Sequence, residues 1–85
     1  MAEPPPLCTY TGHAREQMQR RRINNDAVEW VLVHFDVRVP AQPRVNARPA
    51  EIFIGLFDGR RLRVYVEIGT MPPRVKTVAW VDELY

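Results

Sequence analysis

The chain has 85 residues, enough for one domain whose small core buries about 60–65% of the surface that the unfolded chain exposes. Its 46% hydrophobic and 26% charged residues exclude a disordered chain, and no apolar run reaches the roughly 20 residues of a membrane span. The single cysteine, Cys8, excludes an internal disulfide and a cysteine-based zinc site, and the absence of serine excludes a Ser-His-Asp triad.

These features predict a cytoplasmic protein with no membrane partner, since a lone cysteine suits a reducing compartment and the N-terminus lacks the basic-then-apolar pattern of a signal peptide. A net charge of +2 does not by itself establish a nucleic-acid partner. Lys76 is the only lysine, and every other cation is an arginine, whose planar fork matches phosphate. An arginine-favouring codon bias explains that usage equally well.

Residues 1–8 hold Pro4, Pro5 and Pro6 and are expected to form a disordered tail, ahead of a single α+β domain over 9–85. Thr9 to Thr11 suit a short extended lead-in. Thr11 reads as the N-cap of a helix over 12–21, with Ala14 and Met18 facing inward. Asn24 or Asn25 caps a second helix, and Asp26 and Glu29 suit the positive end of its dipole. Ala27, Val28, Val31, Leu32 and Phe35 form its broad apolar face, with Trp30 on the flank. Phe35-Asp36 ends it, and Val37-Arg38-Val39 alternates briefly before Pro40.

Residues 40–50 carry Pro40, Pro43 and Pro49 and read as an exposed connector, with room for an edge strand. Three strands follow, over 51–57, 61–68 and 74–81. The first sets Ile52, Ile54 and Leu56 against Phe53 and Phe57, and Asp58-Gly59 is a hairpin turn signal. The second sets Leu62, Val64, Val66 and Ile68 against Arg61, Arg63, Tyr65 and Glu67. The expected fold packs two N-terminal helices on one face of an antiparallel three- to four-stranded sheet.

If the aliphatic residues of 61–68 face the helices, Arg61, Arg63 and Tyr65 line the opposite, open face. Lys76 and Trp80 share a parity and are expected there too, with Phe53 and Phe57. Cations and rings on one sheet face suit a single-stranded nucleic acid. Alternatively, Phe53, Phe57 and Trp80 cover a second small core.

The run from Thr11 to Ile23 places His13 at the mouth of the first helix and Arg15, Arg20, Arg21 and Arg22 further along it. Two histidines without paired carboxylates are a weak metal-ligand set, no glycine-rich phosphate loop is present, and no cofactor is implied. The chemistry that remains is metal-independent RNA cleavage, which needs an acid, a base and cations for the phosphorane charge. A histidine, with an ordinary pKa of about 6.5, suits either proton role. The plain structural alternative is that His13 makes only a local hydrogen bond at the helix start. His34 reads as a partner for the C-terminal dipole of the second helix.

Tyr10-Thr11, His13-Ala14, Met18, Arg21, Ile23, Gly59-Arg60 through Val64, and Lys76-Thr77-Val78 with Trp80 resemble the pattern of a small bacterial family, domain of unknown function 4258. The resemblance spans about residues 10 to 81. Gln17 stands where that pattern has an arginine, and Arg22 where it has a glycine. The family is thought to resemble the barnase, EndoU, colicin and RelE-like ribonucleases, which include toxins of toxin–antitoxin pairs. The resemblance implies a RelE-like fold with helices on one sheet face and RNA on the other.

The expected function is therefore a toxin-like, metal-independent endoribonuclease or RNA-binding domain. His13 would serve as acid or base, with Arg21 and Arg61 beside it. Arg63 and Lys76 would hold phosphates, and Tyr65 and Trp80 would contact bases. RNA and an antitoxin protein are the implied partners. The rival expectation is a non-catalytic module whose open sheet face docks a protein.

Overall fold

The structure, a computed structural model, describes residues 7–43, 45 and 48–82. Most of the proline-rich tail, residues 1–6, lies outside the described residues. Its last residue, Cys8, does not behave as tail: it is 4% exposed and joins the core.

Two ten-residue helices, α1 (Gly12–Arg21) and α2 (Asn25–His34), follow a two-residue strand β1 (Thr9–Tyr10). The strands β2 (Val37–Pro40), β3 (Ala50–Phe57), β4 (Arg60–Glu67) and β5 (Arg74–Trp80) come next. Each helix starts as its cap predicts. The Ala14 amide donates to the Thr11 hydroxyl at 3.0 Å, and the Ala27 amide to the Asn24 side-chain oxygen at 2.9 Å. Ala14 and Met18 form the only buried stripe of α1, whereas α2 buries Ala27, Val28 and Val31.

The sheet has five strands in the order β1-β5-β4-β3-β2. It is mixed rather than antiparallel throughout, because β1 runs parallel to β5. That pair joins residues 64 apart in the chain through the Thr9 amide and the Pro73 carbonyl at 2.8 Å, among others, and no local pattern announces such a partner. The edge strand is β2, which takes the Val37–Val39 alternation and ends at Pro40, ahead of the 40–50 connector in which an edge strand is expected. Asp58 and Gly59 both adopt positive φ, 52° and 82°, as a tight hairpin turn requires.

Alternation in β4 is as expected: Leu62 and Val64 are fully buried against the helices. Ile68 instead lies beyond the strand and is 41% exposed.

The two phenylalanines of β3 lie on the opposite face from the expected one. Phe53 pairs with Val64, and Gly55 with Leu62, so Phe53, Gly55 and Phe57 share the helix side. Phe53 and Phe57 accordingly pack on the core, and Ile52, Ile54 and Leu56 take the open side. The reason is Gly55. A Cβ there would meet the Phe35 Cα at 3.3 Å and the His34 carbonyl at 3.4 Å, so only this face of β3 lets the end of α2 approach.

Trp80 is the second reversal. Lys76 is an extra residue in β5, because Val75 pairs with Val66 while Thr77 pairs with Tyr65. This bulge breaks the parity that linked Lys76 to Trp80. Val75, Val78 and Trp80 all point into the core, and Trp80 is only 7% exposed.

Candidate functional site

On the open face, register sets Val39, Ile52, Tyr65 and Thr77 in one row across four strands. The next row holds Val37, Ile54, Arg63 and Ala79. Helix α1 packs along β5 and brings a second line of side chains to this face. His13, Gln17, Arg20 and Arg21 are spaced i, i+4, i+7 and i+8, which is one helical stripe.

These groups meet in a groove of about 1260 Å³. One side is α1 and β5, with His13, Gln17, Arg20, Arg21, Lys76 and Thr77; the other is the β2–β3 connector and β3, with Pro40, Pro43, Pro49 and Ile52. Tyr65 and Arg48 also line it, and no carboxylate among the described residues does. Four fixed cations and a histidine therefore share a concave surface, and their summed field favours a polyanion.

Both ends of α1 are tied to β5, so that His13 and Lys76 line the same groove. At the N-terminus the Thr11 hydroxyl donates to the carbonyl of the bulged Lys76 at 3.1 Å while it caps the helix. At the C-terminus the Trp80 indole donates to the Arg21 carbonyl at 3.0 Å, satisfying a helix-end acceptor. The Arg21 guanidinium donates through Nε to Gln17 Oε1 at 3.1 Å, so the glutamine orients this arginine. Arg48 is held by Glu67 at 3.3 Å, and Glu67, itself 8% exposed, also lies 3.8 Å from Arg74.

Of the seven predicted site residues, the groove collects His13, Arg21, Tyr65 and Lys76. Arg61 is not among them. It sits at the start of β4, paired with Asp36 at 3.2 Å, and is placed for a structural contact. Arg63 is on the open face but one row away from Tyr65, outside the groove lining. Trp80 cannot stack on a base: it is buried on the helix side, under the Arg60 guanidinium at 4.1 Å from the ring centre. Its role is to anchor the end of α1.

Sequence reasoning missed Gln17, Arg20, Arg48 and Ile52 as groove residues. The first two were legible, because they extend the His13–Arg21 stripe at helical spacing. Ile52 follows once Gly55 is read as the helix-facing residue. Arg48 has no local signal. Cys8 and His13 do not form a reactive pair, since Cys8 is in the core and burial pushes its thiol above the ordinary range. His34 lies elsewhere, stacked on Trp30 with ring centres 3.9 Å apart and its Nδ1 3.2 Å from the Trp30 carbonyl.

A family model described as Domain of unknown function (DUF4258) matches residues 10–80. The chain belongs to this family. In DUF4258 terms, the matched segment runs from Tyr10, the last residue of β1, through β5 and holds every groove residue named above. Neither the curated proteins nor the solved structures contain a significant match to the chain. No helix among the described residues is long and apolar enough to cross a membrane.

Arg22 adopts the left-handed conformation that glycine favours, with φ 56° and ψ 48°. Its amide reaches the Gln19 carbonyl at 3.4 Å and the Ile23 amide reaches Met18 at 2.8 Å, closing α1. The turn forms with an arginine, at a cost in backbone strain.

Proposed function

We propose that the groove binds RNA and cleaves it without a metal, with His13 as the general acid or base. The observation that carries this reading is the groove lining itself: His13 with Arg20, Arg21, Arg48 and Lys76, and no carboxylate among the described residues that line it. In the reaction a base removes the ribose 2′-hydroxyl proton, and the freed oxygen attacks the adjacent phosphorus. The P–O5′ bond breaks, and the departing 5′-oxygen takes a proton from an acid. The products are a 2′,3′-cyclic phosphate and a 5′-hydroxyl. His13 supplies one of the two proton transfers, and Arg21 and Lys76 stabilise the extra charge on the phosphorane.

This reading makes the chain a toxin-like ribonuclease related in plan to the barnase, EndoU, colicin and RelE-like group. Two helices packed on a five-stranded sheet, and a cationic groove between α1 and the sheet surface, support that likeness. An antitoxin protein is the partner it implies.

The test is paired expression of wild type and His13→Ala, with the ends of cellular RNA mapped. Wild type should slow growth and leave 2′,3′-cyclic phosphate ends, and His13→Ala should do neither. Equal harmlessness of both proteins, with RNA left intact, removes the catalytic reading.

A docking module is the second reading, supported by a separate apolar group. Trp30 and Leu56, 47% and 55% exposed, line a shallow depression with Phe57, and the Trp30 indole donates to the Leu56 carbonyl at 3.1 Å. Exposed apolar clusters of this kind mark protein contacts. A partner that co-purifies through this cluster, with no RNA cleavage, would favour it.

A further inference from the structure

We infer that the groove holds a single strand edgewise, with its phosphates along α1 and β5 and its bases against Tyr65 and the β2–β3 side. This inference rests on the nucleic-acid reading above and adds which form of the polymer is bound and how it lies.

The two sides of the groove differ in chemistry. The α1–β5 side carries Arg20, Arg21 and Lys76, whereas the facing side is built mainly from Pro40, Pro43, Pro49 and Ile52, and its cation Arg48 is paired with Glu67 at 3.3 Å. The sheet order makes the division spatial, since β4 separates β5 from β3. Tyr65 stands on β4, midway in the row from Ile52 to Thr77. A tyrosine ring between a cationic and an apolar side suits a base stacked on it, with the attached phosphate turned towards the cations. A duplex presents only its backbone outward and keeps its base faces inside. It would leave the proline and isoleucine side without a partner. An acidic peptide would meet the cations and likewise leave that side empty.

The register explains why the division is stable. The bulge at Lys76 turns this residue to the groove while Val75 stays in the core. Gly55 directs Phe53 inward and leaves Ile52 outward. Each side of the groove thus depends on a separate irregularity of the sheet.

Fluorescence anisotropy with labelled, cleavage-resistant 2′-O-methyl oligonucleotides tests this. The probes are a single strand, its duplex, an abasic strand of equal length and an oligoglutamate of equal charge. The single strand should bind at least tenfold more tightly than the other three. Tyr65→Leu keeps an apolar side chain and removes the ring. It should weaken the single strand about fivefold or more and leave the abasic strand unchanged. Lys76→Gln should weaken both strands alike and reduce the salt dependence. Ring spectra or circular dichroism confirm that each variant is folded.

Equal binding of duplex and single strand overturns the inference, as does equal loss by Tyr65→Leu on both strands, or no binding by any probe. Selective single-strand binding without RNA cleavage upholds it while removing the catalytic reading. Cleavage with no base dependence removes this inference alone.

Discussion

On the helix side the sheet presents Leu62, Val64, Val75 and Val78, each essentially without solvent contact, while the same strands present Tyr65, Lys76 and Thr77 half-exposed on the other side. The first set is aliphatic and interchangeable in chemistry; the second is cationic, aromatic and hydroxylic. Successive residues of one strand therefore serve different ends, packing and ligand contact. The two sides are coupled at only a few points, of which Thr11 to Lys76 and Trp80 to Arg21 bear on the groove. A core side chain here acts on the groove through a backbone carbonyl, since the buried Trp80 holds the end of α1 by its bond to Arg21.

The comparison breaks most visibly at Leu62. Leu62→Ala should cost about 2–5 kcal/mol, because the site is fully buried and relaxes only in part. Urea denaturation reads this, and a loss below about 1 kcal/mol would mean the helix side is not the main source of stability. In a domain this small, such a loss is a large share of the total.

Trp80→Phe sharpens the coupling. It keeps an aromatic ring in the core but removes the donor to the Arg21 carbonyl, and should cost about 1–3 kcal/mol in the same assay. Amide chemical shifts at Arg21 and Ile23 should move more than those at Arg63. Shifts confined to β5 would show that Trp80 does not anchor α1.

Arg22→Gly acts in the other direction. Glycine relieves the left-handed strain but gains freedom in the unfolded chain, so the net effect should be a stabilisation of about 0.5–1 kcal/mol. A destabilised variant would mean that the arginine side chain contributes more than the strain takes away.

The smallest effect is at the β2–β3 edge. Arg38 donates to Glu51 at 2.6 Å and 2.8 Å, and these bonds hold the Glu51 carboxyl below its ordinary range. With a folded pKa lower than the unfolded one, its contribution is present above the unfolded value and fades as the pH falls through the folded one. Carbon-detected titration should place Glu51 below the ordinary glutamate range, and Arg38→Gln should bring it back. An unchanged Glu51 in that variant would remove Arg38 as the cause.

The helices were legible because their signals are local. Thr11 and Asn24 cap within three residues, and the buried stripes recur at helical spacing. The groove was legible only in part. His13 and Arg21 follow from the α1 stripe, and Tyr65 from the alternation in β4. Trp80 departs from the face that its parity with Lys76 predicts because the bulge breaks alternation in β5, whereas β3 alternates without a break and only the choice of its inward face differs from expectation. Gly55 was a readable warning of close approach, whereas the bulge at Lys76 exists only once β5 is aligned against β4.

Sequence alone determined the two helices, their caps, the β3–β4 hairpin and the identity of the buried aliphatic residues, since each depends on spacing within a few residues. Tertiary structure decided the parallel pairing of β1 with β5, the facing of Phe53 and Trp80, and the meeting of α1 with Tyr65 and Lys76 in one groove. Those outcomes depend on which strands lie side by side and on one extra residue in a ladder, and these are properties of pairs of segments rather than of any single one.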